Sequence, residues 1–121
     1  MRERGLSVQS EHLEQCAVIK WFDIQYPALR GRLFAVPNGG HRHPAVAVKL
    51  KAEGVRKGVP DLWLPVPRHG FSGLVVELKA GRGRLTPEQD DWLNFLAGQG
   101  FATMLCHGAD AAIRTIREYL E

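Results

Sequence analysis

The run LVVELK, residues 74–79, constrains the fold of this chain more than any other stretch, because it is an apolar, strand-like segment that carries two charges. Side chains alternate across a β-strand, so Glu77 and Lys79 share a face with Val75 while the opposite face stays apolar. Charges in a central strand are costly to desolvate unless they are paired or bound to a metal ion. The segment is therefore either an edge strand whose charges meet water or a central strand that ends in a functional site.

A second strand is expected directly before this run. Residues 61–66 follow a Gly-Val-Pro turn and end at Pro67, and the next three residues, Arg-His-Gly, have the composition of a tight turn. Together with residues 71–79 they predict a β-hairpin that brings the carboxylate of Asp61 towards that of Glu77. Two carboxylates about 4 Å apart repel by about 4 kcal/mol at an effective dielectric constant of about 20, so a close pair recruits a cation or a proton. An all-oxygen site with few protein ligands suits Mg²⁺ or Mn²⁺.

A lysine and a helix acid complete the candidate site. Lys79 shares a face with Glu77, where an ammonium group can hold a water molecule or stabilise negative charge on a phosphate. A third acid is expected from the first helix, in which Glu14 projects from an apolar sector. Glu11, one turn earlier, is the alternative, and for either acid the structural interpretation is that it complements the helix dipole. Such a set of groups is what phosphodiester hydrolysis requires.

The remaining sequence predicts an alternating α/β chain. Ser10 is a good N-cap, Pro44 and Pro87 stand at first helical positions, and glycines follow the expected helix ends. Apolar residues nearly encircle the first helix, which is therefore expected to be substantially buried. The order of elements is α-β-α-β-β-α-β-α. The predicted helices cover residues 11–25, 44–53, 87–97 and 109–120, and the predicted strands cover residues 32–36, 61–66, 71–79 and 101–106.

Length and composition indicate one domain outside the membrane. With 121 residues, 45% of them hydrophobic, the chain suits one compact core, and we assign residues 1–121 to a single domain whose motifs lie at about residues 10–107. No apolar run reaches the roughly 20 residues of a membrane span, and the N-terminus lacks the apolar segment of a signal peptide, so a cytoplasmic location is expected. Cys16 and Cys106 lack the spacing of a zinc site or a disulfide framework and are expected to be buried free thiols.

The basic residues are unevenly distributed along the chain. The formal net charge is only +3, yet residues 41–57 contain a basic stripe that is opposed only by Glu53. A stripe of this kind suits a polyanion, and counterion release would make such binding salt-dependent, although a solvated helix face is the alternative. The stripe consists of Arg42, Lys49, Lys51, Arg56 and Lys57.

Taken together, these residues resemble a nuclease family. A Pro-Asp pair followed by Glu-x-Lys on a strand, after a helix that carries a Glu, is similar to the PD-(D/E)xK nuclease superfamily. Within that superfamily, the stretch from Ser10 to Gly100 resembles the VRR-NUC domain, in particular its short, stand-alone, phage-type members. Five motifs occur in the family's order, and five ordered matches are a far more specific signal than a bare Pro-Asp pair. They are Ser10-Glu11, Asn38-Gly39, Gly58-Val59-Pro60-Asp61, Glu77-Leu78-Lys79 and Pro87-Glu88-Gln89.

The resemblance implies a restriction-endonuclease-like α/β core with a mixed sheet, dependence on Mg²⁺ or Mn²⁺, and hydrolysis that leaves 5′-phosphate and 3′-hydroxyl ends. It also implies that Lys79 is catalytic and that Gln89 supports catalysis, although the local sequence around Gln89 fits a capping box equally well. The metal ligands that it implies are the helix acid, which we assign to Glu14, and three groups of the hairpin. The hairpin groups are the side chains of Asp61 and Glu77 and the carbonyl of Leu78.

The short members of this family resemble homodimeric resolvases of four-way (Holliday) junctions. The resemblance therefore implies branched DNA as substrate, a second copy of the chain as partner, and the cytoplasm of a bacterial or phage-infected cell as location. Two other functions stay open, a non-catalytic module that binds branched nucleic acid and a sequence-specific, restriction-like endonuclease. The expected DNA contacts, mainly to phosphates, are Asn38, Lys49, Lys51, Arg56, Lys57, Arg82 and Arg84.

Overall fold

The computed structural model describes residues 2–37 and 43–121, and in this part of the chain helices and strands alternate in the predicted order. A short 3₁₀ helix, Pro27–Leu29, follows the first α-helix. The α-helices are α1 (Arg2–Gln25), α2 (Pro44–Ala52), α3 (Pro87–Gly98) and α4 (Ala109–Leu120), and the strands are β1 (Phe34–Ala35), β2 (Leu62–Leu64), β3 (Leu74–Lys79) and β4 (Ala102–His107).

The described strands form one mixed sheet in the order β1-β2-β3-β4. The pairs β1/β2 and β2/β3 are antiparallel, whereas β3 and β4 are parallel and are joined through α3, as a parallel pair requires. The predicted α/β class with a mixed sheet is confirmed. Because β3 has a neighbour on each side, the edge-strand interpretation of its two charges is excluded.

The hairpin predicted between β2 and β3 is confirmed, with strands shorter than expected. Leu62 pairs with Val76. The tight turn lies at His69 and Gly70, within the predicted Arg-His-Gly stretch, and the φ angles of these two residues are 54° and 83°. Positive φ at both central positions is what a type I′ turn requires. β1 covers only two of the five residues predicted, because it is an edge strand that pairs with the three-residue β2.

The two faces of the sheet bury different clusters. On one face, Val18 and Phe22 of α1 and Ile116 of α4 join the large core, which also takes the side chains of Leu74, Val76 and Leu78. On the other face, Val75 packs with residues of α3 in a smaller cluster. Alternation along β3 therefore places Glu77 and Lys79 on the α3 side of the sheet, beyond the smaller cluster.

Helix α1 differs from its prediction in both length and burial. It begins at Arg2 rather than after Ser10, and residues 2–10 contain no proline that would interrupt it. The expectation of a substantially buried helix is wrong, since Val18 and Phe22 are fully buried while Leu13 and Ile24 are mostly exposed. Although α1 is 24 residues long, neither it nor any other helix in the described residues is apolar enough to cross a membrane.

The two cysteines fall in different environments. Cys106 in β4 is buried, as predicted, and burial raises the pKa of its thiol. Cys16 is exposed, contrary to the prediction, because α1 buries only one side and Cys16 lies on another. Neither cysteine forms a disulfide.

Candidate active site

The hairpin brings the carboxyl groups of Asp61 and Glu77 together. Leu62 pairs with Val76, so extending the antiparallel register by one residue sets Asp61 directly opposite Glu77. Directly opposed residues on one face of a sheet have Cβ atoms about 5 Å apart. The backbone N–H of Leu78 donates a hydrogen bond to Asp61 Oδ2 at 2.8 Å, which holds the Asp61 carboxylate against the end of β3. Two of the predicted metal ligands, Asp61 and Glu77, thus lie side by side at the open end of the hairpin, opposite the turn.

Glu77 is buried to an extent unusual for an acid. It is 2% exposed and is the single buried charged residue among those the structure describes. Burial above all, then the charge of Asp61 and a hydrogen bond between the two carboxyl groups, raise the pKa of Glu77 from 4.5 to about 8. Lys79 opposes this rise and Glu11 adds to it. At neutral pH the folded protein therefore keeps a proton on Glu77, unless a cation takes its place.

Lys79 places a positive charge beside this pair. Its Nζ lies 3.8 Å from Glu77 Oε2, and its side chain is 13% exposed. An ammonium group has three hydrogen-bond donors, so the contact with Glu77 leaves donors for a water molecule or a phosphate oxygen. The ammonium group therefore lies beside the buried Glu77, at the last residue of β3.

The two candidate helix acids have different surroundings. The carboxylate of Glu14, our assignment from sequence, accepts a hydrogen bond from Ala109 N–H at 3.1 Å and lies against Gly108. Gly108 is the N-cap of α4 and has no side chain to cap it, so Glu14 caps α4 from α1. Glu11 is the helix acid whose charge acts on Glu77. The charge of Glu11 therefore acts at Glu77, whereas Glu14 has a structural contact with α4, and a metal-binding role for either acid stays a prediction.

Substitutions at Glu14 are expected to change the stability of the protein itself, whereas substitutions at Glu11 are expected to change the stabilisation by Mg²⁺. Glu14→Ala removes the cap of α4 and is expected to lower the free energy of unfolding by about 1 kcal/mol, with or without Mg²⁺. Glu14→Gln keeps an acceptor and should retain most of that stability. Glu11→Ala and Glu11→Gln are expected to leave stability in chelator nearly unchanged and to reduce the stabilisation that Mg²⁺ provides. Urea titrations with and without Mg²⁺ measure both effects, and the reverse pattern would return the ligand role to Glu14.

The turn that precedes Asp61 packs against the start of α3. Gly58 is buried with φ of 88°, and a Cβ atom added there would lie between 2.6 and 2.8 Å from three atoms of Glu88. Only glycine permits this approach, which links the Gly-Val-Pro-Asp and Pro-Glu-Gln motifs in space. At the same helix end, Gln89 and Thr86 form the predicted capping box, with Thr86 N–H donating to Gln89 Oε1 at 2.9 Å. Gln89 therefore has a structural contact, and its supporting role in catalysis stays a prediction.

Gly58→Ala is expected to destabilise the protein more than Gly54→Ala. Both glycines have positive φ, so both substitutions introduce backbone strain of about 1–2 kcal/mol. Among the residues that the structure describes, nothing lies within 4 Å of a Cβ at Gly54, whereas one at Gly58 must displace α3, which adds about 1–3 kcal/mol. Urea denaturation in chelator measures the difference. Equal losses for the two variants would show that the close approach of the turn to α3 contributes nothing.

The basic residues predicted to contact DNA are exposed wherever the structure describes them. Two of them lie on α2, which buries none of its residues, and two lie in the loop after β3. Lys57 is 3.9 Å from Glu88 Oε2 in an exposed ion pair. Asn38, and Arg42 of the basic stripe, lie outside the described residues. The exposed candidates are Lys49, Lys51, Arg56, Lys57, Arg82 and Arg84.

The donor set at the end of the hairpin fits a hard divalent cation. Asp61 and Glu77 offer carboxylate oxygens and Leu78 a main-chain carbonyl, and Mg²⁺ commonly binds one or two carboxylates while keeping several waters. In the described part of the chain, no group of three or more His, Cys, Asp or Glu side chains comes together as a metal site. An ion here would therefore have few protein ligands. Burial and the charge of Asp61 raise the pKa of Glu77, and a bound cation would favour the ionised carboxylate in its place.

One residue beside the site was missed from sequence. His107, the last residue of β4, pairs with Lys79 in the parallel register, and its Nε2 lies 2.8 Å from the carbonyl oxygen of Gly83. The sequence signal for His107 is that it is a polar residue at the end of an apolar strand, as Lys79 is at the end of β3. Its use depends on knowing that β4 pairs with β3 in parallel, which local sequence does not reveal.

Comparison with known proteins relates this arrangement to a described domain. The family model of the VRR-NUC domain matches residues 9–110. A solved structure described as a "VRR_NUC domain protein" is 29% identical to this chain, with a TM-score of 0.80 over 92% of this chain and 88% of that one. No curated protein matches the sequence. The matched residues run from α1 to the start of α4, and they include Asp61, Glu77 and Lys79.

Proposed function

Because the chain belongs to the VRR-NUC domain family, we propose that it is a divalent-metal-dependent DNA endonuclease that acts on branched DNA, with four-way junctions as the preferred substrate. Family membership supports a nuclease domain that acts on DNA. The observation that carries the proposal further is the meeting of Asp61, Glu77 and Lys79 at the end of the hairpin. A buried Glu77 beside the half-buried Asp61 and an ammonium group is costly for a protein that only binds DNA.

Each residue has a distinct part in the proposed reaction. Asp61, Glu77 and the carbonyl of Leu78 would hold Mg²⁺ or Mn²⁺, and Glu11 is the acid we assign from α1. When bound, the ion would lower the pKa of water and neutralise charge on the scissile phosphate. Lys79 would donate hydrogen bonds to the attacking water and to a phosphate oxygen as negative charge develops. The protein fixes these groups in advance, since Asp61 is held by Leu78 and Glu77 is buried.

The exposed basic residues would bind the DNA backbone. Lys49 and Lys51 of α2 and Arg82 and Arg84 of the loop after β3 would contact phosphates, so affinity is expected to fall steeply with salt. Recognition would then depend on the shape of the branch more than on base sequence. A homodimer with two symmetry-related sites would suit symmetric incision of a four-way junction. We place this activity in the cytoplasm of a bacterial or phage-infected cell.

Cleavage assays on a substrate panel test the proposal. Four-way, flap, nicked and linear duplex DNA are incubated with the protein in Mg²⁺, in Mn²⁺ and in chelator, and the products are sized on denaturing gels. We expect cleavage only with a divalent ion, fastest on the four-way junction, with 5′-phosphate ends. Tight binding without cleavage on every substrate would establish a binding module instead. Discrete fragments from plasmid DNA, without preference for branches, would establish a restriction-like endonuclease.

A further inference from the structure

The loop that follows β3 is fastened to the end of β4. We call residues 80–85 the arginine loop, because they include Arg82 and Arg84. Within the loop, Gly83 N–H donates to the carbonyl of Ala80 at 3.1 Å, and His107 Nε2 lies 2.8 Å from the carbonyl oxygen of Gly83. A carbonyl oxygen only accepts hydrogen bonds, so Nε2 carries the proton and donates it. The contact joins two segments that are 24 residues apart in sequence.

The same glycine lies against the side chain of Lys79. A Cβ atom added to Gly83 would lie 3.2 Å from both Cβ and Cδ of Lys79, so the loop backbone packs on the aliphatic part of the lysine. Lys79 and His107 are partners in the parallel register of β3 and β4, and their side chains therefore stand on the same face of the sheet. Gly83 is thus held between the Lys79 side chain and the His107 ring.

We propose that His107 is a positioning residue for Lys79, an inference that rests on the proposed function of Lys79 as the catalytic lysine. By holding Gly83 down, His107 keeps the arginine loop closed over the Lys79 stem. The closed loop restricts the lysine to the orientation in which Nζ lies 3.8 Å from Glu77 Oε2 with 13% of its side chain exposed. Without the hydrogen bond the loop opens more often, and Lys79 samples orientations that point away from Glu77.

The chemical reactivity of Lys79 tests this role without any nuclease assay. The intact protein is treated briefly with an amine-acylating reagent in chelator, and the modification of each lysine is measured by peptide mass spectrometry. Lys57, whose side chain is 80% exposed, serves as internal reference. We expect slow labelling of Lys79 in the wild type and labelling about threefold to tenfold faster in His107→Ala, because a single hydrogen bond contributes modestly. His107→Gln, whose amide can donate at a similar reach, should restore protection.

Matched controls separate positioning from a general loss of structure. His12→Ala removes an exposed histidine from α1, far along the chain from this loop, and should leave the labelling of Lys79 unchanged. Urea denaturation should show that His107→Ala unfolds at nearly the wild-type denaturant concentration. Wild-type protection of Lys79 in His107→Ala would overturn the proposal, and so would a His107→Gln variant as reactive as His107→Ala.

Kinetics then connect the loop to catalysis. On the substrate that the wild type cleaves, His107→Ala is expected to lower kcat several-fold at saturating Mg²⁺, with little change in the stabilisation that Mg²⁺ gives. His107→Gln should recover most of kcat. Unchanged kcat in His107→Ala would contradict the positioning role even if the loop opens. If the wild type cleaves nothing, the proposed function fails, while the labelling result still decides whether His107 holds the loop over Lys79.

Discussion

Lys79→Met is expected to lower the rate of DNA cleavage by a factor of about 10² to 10⁴ while leaving the binding of divalent ions largely intact. Methionine keeps the length and apolar packing of the lysine stem but removes the ammonium group next to Glu77. In the proposed reaction that group acts as charge develops on the phosphate, so its loss should appear mainly in kcat. Single-turnover cleavage of a labelled four-way junction measures the effect.

The matched control for this prediction is Lys20→Met, the same substitution at an exposed position of α1. It should cleave at close to the wild-type rate. The Lys79→Met variant should still gain stability from Mg²⁺, because the carboxyl pair is unchanged. Cleavage by Lys79→Met within threefold of the wild type would remove Lys79 from the mechanism, and loss of Mg²⁺ stabilisation would mean that the lysine acts mainly on the metal site.

The second large effect is expected at Glu77, in the dependence of stability on pH. Its pKa is raised from 4.5 to about 8, so between these values the folded protein holds a proton that the unfolded chain has released. Stability is therefore unaffected below about pH 4.5 and falls as the pH rises towards 8, by about 3 kcal/mol at pH 7 for this group. The glutamine of Glu77→Gln cannot titrate, so the stability of this variant should not show the decrease between pH 4.5 and 8 that Glu77 causes. In chelator at pH 8 the variant should be more stable than the wild type.

Divalent ions should make the wild type more stable than Glu77→Gln at pH 8, the reverse of the order expected in chelator. Mg²⁺ is expected to stabilise the wild type at pH 8 by neutralising the carboxyl pair, and to have little effect on Glu77→Gln, which is also expected to lose cleavage. Urea titrations at pH 5 and pH 8, each in chelator and in Mg²⁺, provide the four measurements. Glu118→Gln, an exposed substitution on α4, is the control and should stay within about 0.5 kcal/mol of the wild type. A wild type that is equally stable at both pH values in chelator would contradict the account of Glu77.

The parts of the fold that sequence predicted well are those with local signals. The period-two alternation of β3 and the turn before it were enough to predict the hairpin, and hence the approach of Asp61 to Glu77. The capping box at Thr86 and Gln89 is likewise local, since its two hydrogen bonds span three residues. In such segments propensity, pattern and tertiary structure agree.

The parts that sequence did not predict depend on distant partners. Apolar residues nearly encircle α1, so its pattern does not say which side is buried, and the N–H group that engages Glu14 belongs to Ala109, 95 residues away. The choice between Glu11 and Glu14 could therefore not be made from the helix alone. His107 could not be assigned a role either, because its contact with Gly83 exists only where β4 lies parallel to β3.

Proton release on metal binding tests most directly the claim that Asp61 and Glu77 form a divalent-metal site. Mn²⁺ is titrated into the protein in weakly buffered solution at pH 7, and the protons released are counted with a pH indicator. Because the pKa of Glu77 is about 8 without metal, binding should release about one proton per protein molecule at pH 7 and progressively fewer as the pH approaches 9. Glu77→Gln should neither bind Mn²⁺ tightly nor release protons. Undiminished binding and release by Glu77→Gln would contradict the account.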